Sequence, residues 1–124
     1  MTILYIDDDV EDIEIFRDAI QVVDVFIDFT SVNSAREALS YLRNGTNLPD
    51  HIFLDINMPG MDGKMCLQEI RKDTAFDGIA VTIFSTNSFP GDIEYVESLG
   101  AKFMRKATSF SELCDIVRSL KDGQ

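Results

Sequence analysis

His51-Ile52-Phe53-Leu54-Asp55-Ile56-Asn57-Met58-Pro59-Gly60-Met61-Asp62-Gly63 is a short apolar run that ends in an acid and breaks at once into Pro and Gly. Such a run reads as a buried strand, and its terminal carboxylate sits where the strand emerges into solvent. Ile3-Leu4-Tyr5-Ile6 ends the same way, in Asp7 and Asp8. Two strands with acids at their mouths decide how the remaining chain is read.

Working outward, Thr2 to Ile6 is a buried strand, and Asp7 to Asp9 lead into a helix with Val10, Ile13, Phe16 and Ile20 on one face. Val25 to Thr30 alternates, with Val25, Ile27 and Phe29 against Phe26, Asp28 and Thr30, as expected of a half-exposed edge strand. Asn33 or Ser34 caps a second helix carrying Ala35, Ala38, Leu39 and Leu42, which Asn44-Gly45 ends. After the strand His51 to Leu54, a helix from about Lys64 to Lys72 turns Cys66, Leu67 and Ile70 inward, and Asp77-Gly78 breaks the chain. Ile79 to Phe84 is a fourth strand. Pro90-Gly91 open a helix through Ile93, Val96 and Leu99, and Lys102 to Met104 or Arg105 form a short fifth strand. Phe110 and Ser111 begin a last helix with Leu113, Ile116, Val117 and Leu120 inward, and Lys121 to Gln124 are expected to fray.

Strand and helix alternate five times with connections long enough for crossovers. That implies an α/β fold: a doubly wound, five-stranded parallel sheet covered by helices on both faces. The 124 residues fit a single domain. Their net charge of −11 disfavours contact with nucleic acid or an anionic membrane surface. Apolar runs fall short of a spanning helix and the N-terminus does not read as a signal peptide, so the default location is cytoplasmic. Cys66 and Cys114 lack metal-ligand spacing and read as core.

In an open parallel sheet the ligand site lies at the carboxyl ends of the strands, where strand order reverses; in the order 2-1-3-4-5 that is between strands one and three. Asp7, Asp8 and Asp55 end those strands, and Ser85 and Lys106 follow strands four and five on the same rim. Thr30, at the end of strand two, is too far away to join. Crowded carboxylates either raise a pKa or recruit a cation, and hard oxygen ligands suit Mg²⁺. With the metal and Lys106 neutralising charge, Asp55 can attack a phosphoryl group while Ser85 holds an equatorial oxygen.

These residues, in this order and spacing, resemble the receiver domains of two-component response regulators, in particular single-domain, chemotaxis-regulator-like ones with the flavodoxin-like (βα)₅ sandwich. The resemblance rests on Ile3 to Asp9, Phe53 to Gly63, Ser85, Gly100-Ala101 and Lys106, and spans essentially the whole chain. It implies that Asp55 is the phosphoacceptor, that Asp8 binds Mg²⁺ directly and Asp7 largely through water, and that Asn57 offers its main-chain carbonyl. It further implies that Ser85 and Lys106 hold phosphoryl oxygens and that Phe103 is a switch aromatic, turning inward when the Ser85 hydroxyl moves. The output face would run from about Ser88 to Leu120. The donor would be a histidine kinase or phosphotransfer protein and the readout a downstream protein partner, with no output domain within residues 1–124. The chain would be a phosphoacceptor with at most slow self-dephosphorylation, not an enzyme. Ala107 departs from the family, which usually has Pro after this Lys; a cis bond before a non-proline residue costs about 3 kcal/mol, so Lys106–Ala107 is expected to be trans.

Other readings stand beside these. Asp9 reads as a helix cap, Glu11, Asp12 and Glu14 as a solvated face, Met58, Met61 and Met65 as gap filling, and Asp62-Gly63 as a turn with a cap. Asp7-x-Asp9 superficially fits a Mg²⁺-dependent phosphohydrolase of haloacid dehalogenase type, although Glu11 replaces the expected Thr or Val. A non-phosphorylated interaction module is the remaining alternative.

Overall fold

The computed structural model describes residues 1–87 and 89–122. Five parallel strands form one sheet in the order β2-β1-β3-β4-β5: β1 (Thr2–Ile6), β2 (Asp28–Val32), β3 (His51–Asp55), β4 (Ala80–Ser85) and β5 (Lys102–Arg105). Between and after them run α1 (Val10–Val23), α2 (Ala35–Asn44), α3 (Gly63–Lys72), α4 (Pro90–Ser98) and α5 (Phe110–Asp122). A single 3-10 turn, Thr74–Phe76, precedes the expected break at Asp77-Gly78. Helices cover both faces, which is why β1 and β3 are apolar without alternation.

The faces differ in composition. On one, α1 and α5 pack Ile13, Phe16, Ala19, Leu113 and Val117 over Ile3, Tyr5, Phe53 and Phe84. On the other, α2, α3 and α4 pack Ala38, Leu42, Leu67, Ile70 and Val96 over Leu4, Ile52, Leu54 and Ile83. Cys66 and Cys114 are buried free thiols, one on each face, and burial pushes the Cys66 thiol up to about 12.

Local signals place most helix starts. Asp9 accepts the N–H groups of Glu11 and Asp12, Ser34 accepts that of Glu37, and Asp62 accepts that of Met65. Several expectations need correction. Val10 is 59% exposed, and α1 buries Ile13, Phe16, Ala19 and Ile20 instead. The second strand begins at Asp28 and ends at Val32, so Val25 and Phe26, at 69% and 88% exposure, lie in the preceding turn. The reason is register: β1 pairs Thr2 with Asp28 and Ile6 with Val32, leaving Val25 no partner strand. Lys121 and Asp122 continue α5, where Lys121 pairs with Asp24 at 3.0 Å. Gly123 and Gln124 lie outside the described residues, as does Ser88 at the start of the expected output face.

Candidate functional site

The carboxyl ends of β1 and β3 lie side by side, Ile6 paired with Leu54, so Asp7 and Asp55 emerge next to each other. Asp7, Asp8 and Asp55 each bring a carboxylate oxygen to within 4.8 Å of the others. Asp7 is fully buried, Asp55 nearly so, and Asp8 is exposed. Acids of this kind, with oxygen donors converging from two strand ends, fit a hard divalent cation.

Two glycines let the chain turn so tightly behind Asp55. Gly60 has φ +77°, in the left-handed region that side chains avoid. At Gly63 a Cβ would meet the Asp55 carbonyl oxygen and approach Ile56 Cα to 2.6 Å. The start of α3 therefore rests directly on the backbone of the acid loop, held by the Gly63 N–H to the Ile56 carbonyl at 2.9 Å. Met58 and Met61 fill the space beneath this loop as expected, whereas Met65 is 51% exposed and fills nothing.

Lys106 reaches the pocket from the end of β5. Its ammonium donates to Asp7 Oδ2 at 2.8 Å and Asp12 Oδ2 at 2.6 Å, and lies 3.7 Å from Asp55 Oδ1. Burial opposes its charge, but the hydrogen bonds it donates to Asp12 and Asp7 and the Asp55 charge outweigh it and hold the ammonium above its ordinary range. No cis peptide bond occurs among the described residues, so Lys106–Ala107 is trans, as expected. For Asp55, burial is the main cause that pushes its carboxyl up to about 6; Lys106 and the Asn57 N–H pull it down, Asp7 and Asp8 push it up.

Ser85 ends β4, buried, and its hydroxyl oxygen accepts the Asn87 N–H at 3.2 Å, which leaves the hydroxyl hydrogen to donate. Its carbonyl accepts the Lys106 N–H at 2.8 Å, tying the ends of β4 and β5 together. Asn57 is exposed on the acid loop. Phe103 is half-buried on the α2–α3–α4 face, in register with Ile83. His51 is buried at the start of β3, the opposite end of the strand from Asp55, and burial lowers its pKa.

Two pocket residues escape a reading of the sequence. Asp12, expected on a solvated face, is a partner of Lys106. Tyr5, read only as strand core, donates its hydroxyl to Asp7 Oδ2 at 3.3 Å, and its own pKa is raised above the ordinary range, chiefly by burial. Asp12 falls one turn into α1 on the side facing the strand ends, a signal too weak to single it out from Glu11 and Glu14. Asp9, by contrast, caps α1 as expected; its carboxylate is engaged with helix N–H groups, which argues against the paired Asp7-x-Asp9 site of a phosphohydrolase.

Residues 3–118 match the family described as response regulator receiver domain. The chain is 31% identical over 121 residues to the sensor histidine kinase CheAY of Helicobacter pylori, covering 96% of this chain and 15% of the relative. It is 34% identical over 88 residues to the response regulator Rre1 of Synechocystis, covering 70% of this chain and 37% of the relative. The chain thus spans well under two thirds of the length of these curated relatives. Among solved structures, the phosphorylated cyanobacterial phytochrome response regulator RcpA superposes with a TM-score of 0.87 at 29% identity, covering 98% of this chain and 91% of that one.

Proposed function

The chain belongs to the response regulator receiver domains, and from that premise we propose that Asp55 accepts a phosphoryl group from a phosphohistidine and that the protein signals through an altered protein-binding face. The observation that carries this reading is the meeting of Asp7, Asp8 and Asp55 within 4.8 Å, with Lys106 3.7 Å from Asp55, at the point where strand order reverses.

Asp55 attacks as a carboxylate: one of its oxygens forms the bond to phosphorus as the P–N bond to the donor's imidazole breaks, with the electron pair left on that nitrogen. Lys106 offsets charge on the phosphoryl oxygens, and the Ser85 hydroxyl donates to one of them. Asp7, Asp8, Asp55 and the main-chain carbonyl of Asn57 would hold Mg²⁺, the cation their hard oxygen donors suit. When bound, it neutralises charge on the acids and on the transferred group. Phe103, half-buried beside β4, is the aromatic that turns inward as Ser85 engages the phosphoryl group. That turn alters the face made by α4, β5 and α5, where a downstream protein partner docks.

The donors are a histidine kinase or phosphotransfer protein, met in the cytoplasm. The net charge of −11 supports an absence of direct nucleic-acid contact and of membrane insertion. No helix among the described residues is long and apolar enough to cross a membrane. The protein is a phosphoacceptor with at most slow self-dephosphorylation, not a turnover enzyme. Incubation with acetyl phosphate and Mg²⁺ followed by intact mass measurement tests this: one added phosphoryl mass is expected in the unmodified protein and none in Asp55→Asn. Equal uptake in both, or none in either, would sink the assignment of Asp55.

A further inference from the structure

Lys106 stands at a junction without a rigid ring: the bond after it is trans and leads to Ala107. Its backbone is anchored through its N–H to the Ser85 carbonyl at 2.8 Å. Its long, flexible side chain borders a cleft of about 90 Å³ that Tyr5, Asp12, Phe84 and Ala107 also line. The ammonium is placed there by two short ion pairs, to Asp7 at 2.8 Å and Asp12 at 2.6 Å, while Asp55 at 3.7 Å is beyond hydrogen-bond reach.

Those two partners are not equivalent. Asp7 belongs to the acid trio that fits a divalent cation, so a cation there competes with Lys106 for the same carboxylate. Asp12 lies outside the trio, so its carboxylate is not among the oxygens a cation there would take from Lys106. The pair is also partly shielded, with side-chain exposures of 15% for Lys106 and 33% for Asp12, so its charge-assisted bond is stronger than that of an exposed pair.

We propose that Asp12 is a positioning residue for phosphoryl uptake: its carboxylate tethers the Lys106 ammonium beside Asp55, at the place where the oxygens of an arriving phosphoryl group will lie. The inference rests on the reading of Asp55 and Lys106 given above. Asp12 acts through Lys106 and touches no reacting atom. Of the three ammonium hydrogens it takes one, leaving two for Asp7 and the phosphoryl group. In a chain with Ala107 after the lysine, this side-chain tether does what a stiffer backbone would otherwise do.

Asp12 also lies in the first turn of α1, where any acid favours the helix dipole. A double-mutant cycle separates that role from tethering, because a helix effect does not need Lys106. Asp12→Asn is made in the unmodified protein and in Lys106→Met. Each variant is melted in EDTA, and its phosphoryl uptake from acetyl phosphate with Mg²⁺ is timed by intact mass. Asp12→Asn is expected to lower the melting temperature, through loss of its ion pair, and to slow uptake about tenfold, because the untethered Lys106 ammonium is less well placed for the phosphoryl oxygens. Both effects should largely vanish in Lys106→Met, and Asp12→Glu should recover part of the rate. Equal effects in both backgrounds would assign Asp12 to the helix alone, and faster uptake in Asp12→Asn would mean that Asp12 withholds Lys106; either overturns the proposal. Absence of uptake in the unmodified protein would overturn the Asp55 reading and this inference with it, whereas uptake that ignores Asp12 overturns only the inference.

Discussion

Beneath the acids, Tyr5, Phe16, Phe53 and Phe84 pack ring against ring with centroids 4.5 to 6.5 Å apart, whereas α4, on the opposite face of the sheet, buries Val96 alone among its described residues. Phe89, which precedes α4, gives no side-chain cap. The helix is instead tied to α3 by polar contacts, Lys64 to Asp92 at 2.8 Å near its start and Arg71 to the Leu99 carbonyl at 2.9 Å at its end. The floor of the pocket is thus held by dense apolar packing, and α4 by one apolar anchor and directional bonds at its ends. Packed aromatics resist displacement in every direction, while a helix with a single anchor can shift by exchanging a few polar partners. That contrast suits a molecule in which the acids must stay registered while the neighbouring surface changes.

The contrast breaks if the two regions answer equally to truncation. Phe16→Ala, at the centre of the ring cluster, is expected to cost about 3–5 kcal/mol in urea unfolding, and Val96→Ala only about 2 kcal/mol. Equal losses would show that α4 is as firmly built as the floor.

Asp55 sharpens the same contrast, because the stiff floor keeps its carboxylate out of water. In the folded protein it holds its proton up to about 6, against an ordinary value of 3.8. The folded state therefore binds this proton more tightly than the unfolded chain, and the stability it adds is full below the ordinary value and lost as pH rises through about 6. In metal-free buffer Asp55→Asn should stabilise the protein by roughly 2–3 kcal/mol at pH 7.5 and by little at pH 4. Paired urea titrations at the two pH values check this, and a pH-independent difference would contradict it.

Arg71 comes next in size. Its guanidinium donates to the carbonyls of Leu99, Phe76 and Ile79, joining α3 to the end of α4 and to the chain entering β4. Arg71→Met should cost about 1–2 kcal/mol, and Lys should not substitute, because a point ammonium cannot span three carbonyls in a fork. Full rescue by Arg71→Lys would show that charge alone matters there. The smallest effect belongs to Asp92→Asn: faster amide exchange in the first turn of α4 with an unchanged melting temperature. Exchange that stays slow would mean that the Lys64 bond does not hold this end of the helix.

The acids at the ends of β1 and β3 are legible in the sequence because each directly follows a continuous apolar run; that the two strands are neighbours follows from the sheet order β2-β1-β3-β4-β5, which chain order does not give. Ser85 is legible at the end of the apolar fourth strand, whereas Lys106 follows a short strand with charged ends, Lys102 to Arg105, and is reached only by its place on the same rim. The second strand misleads, since Val25, Ile27 and Phe29 alternate as convincingly as the true strand; pairing of Thr2 with Asp28 decides the register, and it leaves Phe26 88% exposed. Val10 misleads in a similar way, satisfying the helical spacing while facing solvent. The family's resemblance likewise reaches Asp55 and Lys106 but assigns no role to Asp12 or Tyr5.

What the sequence by itself determined is the alternation of five strands and helices, the caps of the first three helices and the acids at the strand mouths, all of them properties of neighbouring residues. Only the tertiary structure decided which carboxylates Lys106 meets. Asp12 and Asp7 lie 94 and 99 residues from it in the chain, and nothing in local pattern distinguishes Asp12 from the acids on either side. Their pairing follows from the angle at which α1 leaves β1 and the point where β5 ends, both set by packing across the sheet.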